Sequence, residues 1–176
     1  INDFTMMITQ EYAKLALKTK CEMKTIIDRE FGHIPIVAEI EWSVPDWSII
    51  IYEEGQIVAF VNLIERIIYV DTIACRAVGI NNLITLNKYR GKGYGQKLML
   101  AAKHMICGRL RSQLGILLCA DNLIPFYQKL NWREIQCTVL FNQTYGKRTW
   151  EAKTMILSFG NLPNSPCQID LNGLPW

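Results

Sequence analysis

Apolar residues between positions 9 and 31 recur near a 3.6-residue period, with Tyr12, Leu15, Ala16, Met23, Ile26 and Ile27 set among Lys14, Lys18 and Lys24. That spacing puts one apolar face on a helix, in one piece or broken into two. After a loop carrying Gly32, Pro35 and Pro45, the pattern changes to strand-like runs at 47–52 and 56–64, joined at Glu54-Gly55 by a hairpin signal. Residues 67–74 and 78–86 read as further strands. Helical periodicity returns after Gly93, where Leu98, Ala102, Met105 and Ile106 form one apolar face. The run 114–119 is short and continuously apolar. Residues 122–130 suit a short helix, with Asn131 where a left-handed residue would end it. Residues 135–141 and 150–157 are two more strands flanking a loop at Tyr145-Gly146, and the tail from Gly160 is expected to be irregular. No repeat, low-complexity stretch or linker intervenes. Residues 1–176 are therefore expected to form one domain of the α/β (α+β) class: a helix, antiparallel strands, then strand-helix-strand-helix-strand.

With 176 residues, 50% of them hydrophobic and 20% charged, the chain can bury a sizeable core, which excludes disordered and collagen-like classes. Charges such as Glu53, Glu54, Glu65, Arg66 and Asp71 interrupt every apolar stretch before the roughly 18 to 20 residues a bilayer span needs. The first twenty residues carry no basic-then-apolar leader pattern, so a cytoplasmic protein without membrane contact is expected. The six cysteines lie far apart with no CxxC pair, and only His33 and His104 accompany them. No metal site is expected, and the thiols are read as reduced and structural.

Charge is unevenly distributed. Asp28, Glu30, Glu39, Glu41, Asp46, Glu53, Glu54, Glu65 and Asp71 crowd one stretch, against only Arg29 and Arg66. From 72 to 120 there is no acid at all, while Arg76, Lys88, Arg90, Lys92, Lys97, Lys103, Arg109 and Arg111 are basic. One part of the chain suits a cation and the other an anion. The basic residues are not interleaved with a set of stacking aromatics and the net charge is only +3, so nucleic acid is not the expected partner.

Within the basic stretch, Thr85-Leu86-Asn87-Lys88-Tyr89-Arg90-Gly91-Lys92-Gly93-Tyr94-Gly95 runs from a strand through three alternating glycines into a helix. Glycines let backbone N–H groups converge on an anion, and a helix N-terminus adds partial positive charge, so the turn reads as a phosphate cradle. Gln96-Lys97 after the last glycine excludes a Walker loop, and the glycine spacing excludes a dinucleotide fingerprint.

Arg90-Gly91-Lys92-Gly93-Tyr94-Gly95 resembles the acetyl-CoA motif Arg/Gln-x-x-Gly-x-Gly/Ala of the GCN5-related N-acetyltransferases (GNAT). A second block, 124–132, resembles that family's Phe-Tyr-x-x-x-Gly-Phe/Trp segment, with Asn131 in place of glycine. The resemblance implies a GNAT fold, in which helices flank a central mixed, mostly antiparallel sheet, with acetyl-CoA as cofactor. It places the backbone of Leu83, Ile84 and Thr85 along the pantetheine arm and Arg90, Gly91, Lys92, Gly93, Tyr94 and Gly95 around the pyrophosphate. A weaker resemblance to aminoglycoside 2'-N-acetyltransferases rests on 114–117, the later hairpin and the ending 169–176 on Trp176. There an acid on the strand before the cradle activates the amine; the matching residue here is Asn81, which cannot act as a base.

Acetyl transfer requires a neutral amine, and an ordinary lysine-like amine near pKa ~10.4 is only about one part in a few thousand neutral at pH 7. Either water relayed through Asn81, Asn82 or a nearby carboxylate takes the proton, or the acceptor is intrinsically less basic. Tyr127, matching the family's tyrosine, is the candidate general acid for the leaving thiolate; Asp121 beside it is read as a helix N-cap. The acceptor is expected to be a small cationic amine held by Glu39, Glu41 and Trp176, whereas Glu53 and Glu54 at a hairpin tip are expected to be simply exposed. The alternative is an acyl-CoA-binding module that kept the cradle and lost the base. A homodimer is among the assemblies the reading allows.

Overall fold

Alternation along two apolar strands builds the centre of the protein. In this computed structural model, which describes residues 4–176, β2 (Trp47–Glu53) and β3 (Gln56–Val70) pair antiparallel around Glu54-Gly55, both with positive φ, as the hairpin signal implies. β1 (Thr5–Glu11) adds to the outer edge of β2. Residues 9–11, expected in a helix, belong to this strand instead. Met6-Met7-Ile8-Thr9 pair well along an open edge, and the helical period really begins with α1 (Leu17–Phe31), after a short turn at Tyr12–Lys14.

β3 does not break at Glu65-Arg66. It runs on to Val70 and turns at Asp71-Thr72 into β4 (Ile73–Thr85). The two charges fit because successive side chains point to opposite faces: the Glu65 carboxylate accepts the indole N–H of Trp47 on one side, and Arg66 reaches the C-terminal tail on the other. Beyond β4 come α3 (Tyr94–His104), continued by a π-helical turn Met105–Arg109, then β5 (Leu114–Cys119) and α4 (Ile124–Gln128). The last strands are β6 (Arg133–Ile135), β7 (Thr138–Gln143), β8 (Gly146–Trp150), β9 (Lys153–Ser158) and β10 (Gln168–Asp170). The run expected as one strand at 150–157 is thus the end of β8 and the start of β9, parted at Glu151. The tail is not wholly irregular, since β10 inserts between β3 and β7. α2 (Pro35–Glu39) is a single extra turn in the loop before β2.

Among the described residues the ten strands form one sheet, in the order β6-β9-β5-β4-β3-β10-β7-β8, with β2 and β1 on the first half of β3. α3 covers one face, where Leu98, Met99, Ala102 and Ile106 pack on Ile49, Val61, Leu63, Val78 and Ile80. On the other face α1 lays Met23 and Ile26 against Ile50, Phe60 and Ile84. Further along that face, Ile64, Ile68, Ala77, Ile116, Phe141, Ile169 and Trp176 form a separate core under the tail. Among the described residues no helix is long and apolar enough to cross a membrane.

Candidate active site

Two irregularities in β4 open the sheet. β4 pairs parallel with β5 only from Ala77 to Gly79, opposite Leu114 to Ile116, after which the strands part. Residues 80–85 of β4 and 117–119 of β5 then border a wedge, and the β5 side keeps only β9 as its partner. At the same level the β3–β4 register slips: Asn81 opposes Asn62 and Ile84 opposes Phe60, so two β4 residues, Asn82 and Leu83, face one on β3. This is a β-bulge, with Asn82 at φ 51°, and it re-aims the backbone of Asn82 and Leu83. Leu83, Ile84 and Thr85 therefore lie along the open edge.

The glycine turn caps the wedge. Gly91 and Gly93 have φ of 81° and 80°, and a Cβ built on either meets nothing within 4 Å, so the space over both is open. Gly93 is the N-cap of α3 and no side chain caps that end. The first N–H groups of a helix have no intrahelical acceptor, and here the amides of 91–96 make no turn or cap bond among the described residues. Converging, unpartnered amides at a helix N-terminus, under open space, fit a pyrophosphate.

The side chains of the turn are committed elsewhere. Arg90 donates from Nε to the Thr85 carbonyl (3.1 Å) and from Nη2 to Glu30 of α1 (2.6 Å). Lys92 Nζ lies 3.2 Å from Glu53 and 5.1 Å from the Tyr89 ring centroid. The buried Tyr94 hydroxyl also donates to Glu53. Glu53 is thus not a free hairpin-tip charge, as expected from its position, but the anchor that ties the turn to β2. The acidic and basic stretches partly neutralise each other: Glu30 and Glu53 hold the cradle in shape, and the backbone is left to meet the anion.

Tyr127 stands beside the wedge in α4, packed edge-on to Phe126 and Trp132 at centroid distances of 5.0 and 6.4 Å. Burial, with the Cys119 thiol at the end of β5 adding to it, pushes the phenol well above its ordinary value. Burial likewise pushes Cys119 up to about 11, helped by the carboxylates of Glu134 and Asp121. Asn131 has φ 66° and ends this segment, and the Trp132 N–H donates back to the Tyr127 carbonyl (3.1 Å). Asp121 caps nothing with its side chain; it opens a 3-10 turn ahead of α4.

On the opposite face the tail folds back. The indole of Trp176 lies on Gly79, where an added Cβ would come within 2.2 Å of Cε2, and Gly79 is the last β4 residue paired to β5. Arg66 organises this region: it donates to the carbonyls of Leu171 (3.0 Å) and Leu174 (2.7 Å) and to Ser43 Oγ (2.6 Å), and its guanidinium lies 5.1 Å from the Trp176 ring centroid. Ser43 in turn binds the Leu174 and Pro175 carbonyls (both 2.8 Å). The loop that carries Glu39 and Glu41 is thereby tied to the tail that carries Trp176. Glu39 is exposed at the end of α2, whereas the Glu41 carboxylate accepts from Thr144 Oγ1 (2.9 Å) on the β7–β8 turn. Neither carboxylate contacts Asn81, which lies in β4 with 6% exposure.

Sequence reasoning missed Arg66, Ser48 and Asn62. The signal was there: Arg66 is one of two cations in an acidic stretch, and Ser48 and Asn62 are polar residues inside otherwise apolar strands.

A sequence model described as an acetyltransferase (GNAT) domain matches residues 45–134, just over half of the chain. The chain belongs to the GNAT acetyltransferase family. Solved structures agree at the level of fold. The GNAT family N-acetyltransferase YhbS of Escherichia coli in complex with CoA has TM-score 0.64 at 11% identity, over 98% of this chain and 92% of that one. A GNAT family acetyltransferase of Brucella melitensis in complex with acetyl-CoA has TM-score 0.58 at 13% identity, covering 92% and 93%. Arabidopsis thaliana Naa50 in complex with the bisubstrate analogue CoA-Ac-MVNAL has TM-score 0.57 at 17% identity, covering 87% and 99%. No curated protein matches the sequence. The narrower resemblance to aminoglycoside 2'-N-acetyltransferases gains nothing from these similarities, which stop at the GNAT fold.

Proposed function

We propose that this GNAT protein is an acetyl-CoA-dependent N-acetyltransferase that acts on a primary amine of a small cationic acceptor, with residues 1–176 forming one such domain. The observation that carries this reading is the wedge between β4 and β5, with the open amide cradle 91–96 at one end and Tyr127 at its side. In this reading the N–H groups from Gly91 to Gly95 hold the pyrophosphate, and the free β4 edge at Leu83, Ile84 and Thr85 lies along the pantetheine arm. Arg90 and Lys92 shape the turn through Glu30 and Glu53.

Bound acetyl-CoA supplies a thioester whose C–S bond breaks, releasing a thiolate, as the amine lone pair forms the new N–C bond. Tyr127 Oη gives that sulfur its proton and regains one from water; burial keeps the phenol protonated, so the proton is in place, while making it a weaker acid than an exposed tyrosine. The surplus amine proton leaves to solvent, because Asn81 cannot take it. Glu39, Glu41 and Trp176 form the acceptor wall, with the carboxylates supplying long-range attraction for a cation. Asn81 favours a second reading, an acyl-CoA-binding module without turnover.

The test is release of CoA thiol with a panel of aminoglycosides, polyamines and peptide amines. Acetylation of cationic amines with a KM that rises with salt supports the proposal, since salt screens charges beyond about 8 Å at physiological ionic strength. Better turnover of anionic or neutral acceptors would remove the cationic part.

A further inference from the structure

Cys137 and Cys167 are distant in sequence but stand at the same level of the sheet. β10 and β7 pair parallel, with Gln168 beside Thr138 and Ile169 beside Val139. One step back along both strands brings Cys167 beside Cys137, and the register is already set there, because the Thr138 N–H donates to the Cys167 carbonyl (3.2 Å). Neighbouring strands lie about 4.7–4.9 Å apart, inside the range of roughly 4.4–6.8 Å found between the Cα atoms of disulfide-linked cysteines. Facing residues of paired strands also point to one side. Val139 and Ile169 are both buried in the core under the tail, and the two-residue alternation puts Cys137 and Cys167 on that same face. Cys137 packs at the margin of this core, while Cys167 is exposed. The two sulfurs are near enough to sense each other: the Cys137 thiol is pushed up first by burial, then by the Asp71 carboxylate and by Cys167.

Asp71, at the turn between β3 and β4, holds this pair in place. Its Oδ1 accepts from the N–H groups of Cys167 (2.8 Å) and Gln168 (3.0 Å), and its own N–H donates to the Gln168 carbonyl (2.8 Å). From there β10 leads into the tail, where the Leu171 N–H donates to the Leu140 carbonyl of β7 (2.8 Å) and the chain runs on to Trp176. The other four thiols have no such neighbour. Cys21 lies in α1 and Cys107 in the π-helical turn, Cys75 faces Ile68, and Cys119 faces Lys153. All six thiols are free.

We propose that Cys137 and Cys167 are a redox-reversible modification site, which a low-molecular-weight disulfide oxidises to a bridge that fastens β10 and the tail to β7. Exposed Cys167 reacts first. Its thiolate attacks one sulfur of the small disulfide, that S–S bond breaks, and one small thiolate leaves. Cys137, its proton passed to solvent, then attacks the Cys167 sulfur and expels the second small thiolate. The protein loses two hydrogens and two electrons, and the small disulfide gains them as two thiols. Burial of Cys137 slows the second step, but a partner held in register at high effective concentration favours it over attack by a thiol from solution. Attack by a small thiol on the exposed side reverses the bridge. The site is separate from the cradle and from Tyr127, so the inference does not rest on the acetyltransferase reading.

The experiment treats the full folded chain with glutathione disulfide at about pH 8, near the ordinary thiol pKa of 8.5, and maps the cysteines by mass spectrometry of unreduced peptides. The expected product is a linked pair of peptides carrying Cys137 and Cys167, lighter by two hydrogens and parted again by dithiothreitol, while exposed Cys21 and Cys107 carry glutathione alone. In denaturant the preference should vanish, with Cys107 and Cys119, closer in sequence, competing. Closing the loop between the two residues should raise Tm by about 5–10 °C and increase amide protection at 168–176. Cys137→Ser should leave a lasting glutathione adduct on Cys167 with no rise in Tm. Glutathione persisting on Cys167 of the wild-type chain without a bridge, or a bridge no more frequent in the folded chain than in denaturant, would overturn the inference. A bridge that leaves Tm and the protection at 168–176 unchanged would overturn the fastening role. The wild-type map decides the site even where Cys137→Ser does not fold.

Discussion

Tyr127 and Gly93 bear the most specific expectations at the scale of single residues. Because burial raises the Tyr127 phenol, the group remains protonated to higher pH than an exposed tyrosine. Loss of its proton should therefore cause no fall in kcat up to about pH 9, below the ordinary tyrosine value near 10. Tyr127→Phe keeps the edge-on packing with Phe126 and Trp132 but removes the proton, so kcat should drop about 10²- to 10⁴-fold with CoA affinity unchanged. A wild-type rate in that variant would reduce the residue to packing. At Gly93 a β-branched replacement would confound two effects, since φ is 80°. Gly93→Asn separates them, because asparagine tolerates the left-handed region while its side chain fills the open space over the cradle. Calorimetry should show CoA affinity weakened more than ten-fold, with thermal stability nearly unchanged. The glycine turn and Tyr127 were legible because their residue types are demanded locally, by backbone conformation and by spacing. Arg66 and Glu53 were not, because their roles depend on partners more than twenty residues away.

At the scale of elements, the tail is the part that the hydrophobic pattern could not reveal. β10 is three residues long and its partners, β3 and β7, lie far back in the chain, so no local period marks it. β1 was missed for a related reason: an edge strand with Met6 and Met7 exposed shows no alternation between buried and polar positions. The tail's seat is testable at Gly79, where a methyl group would collide with the Trp176 ring. Gly79→Ala should displace the indole at about 1–3 kcal/mol in stability and raise acceptor KM several-fold while leaving CoA affinity intact. Unaltered acceptor kinetics with a shifted Tm would separate Trp176 from the acceptor wall. Asp170 of β10 supplies a pH test. Burial raises its carboxyl, but the bond from Lys147, the Asn172 N–H at 2.9 Å and the Lys147 charge outweigh that, so the net shift is downward. A depressed carboxyl stabilises the fold above its unfolded pKa and loses that contribution as pH falls through the folded value. Protection of the amides at 168–176 from exchange, taken against the intrinsic rate at each pH, should therefore fall below about pH 4, near the ordinary carboxylate range, and Asp170→Asn should show lowered protection already at neutral pH.

For the whole molecule, the decisive feature is that a continuous ten-stranded sheet is opened at one place, where β4 leaves β5 after Gly79. The strands on either side were expected from their apolar runs, yet the wedge itself was not readable from them. It depends on a bulge at Asn82-Leu83 and on three parallel pairs in place of six, and both are properties of register rather than of composition. The uneven charge was readable, but not its use, since Glu30 and Glu53 turn part of it inward to brace the cradle. We propose that this wedge serves acetyl transfer and not mere cofactor storage. The most direct measurement is mass spectrometry of a primary-amine acceptor incubated with acetyl-CoA and the purified chain, alongside titration of the CoA thiol released. Acetylated acceptor and free thiol are expected in equal amounts, both lost together in Tyr127→Phe. Saturable acetyl-CoA binding with no acetylated product from any amine offered would contradict it and leave a binding module.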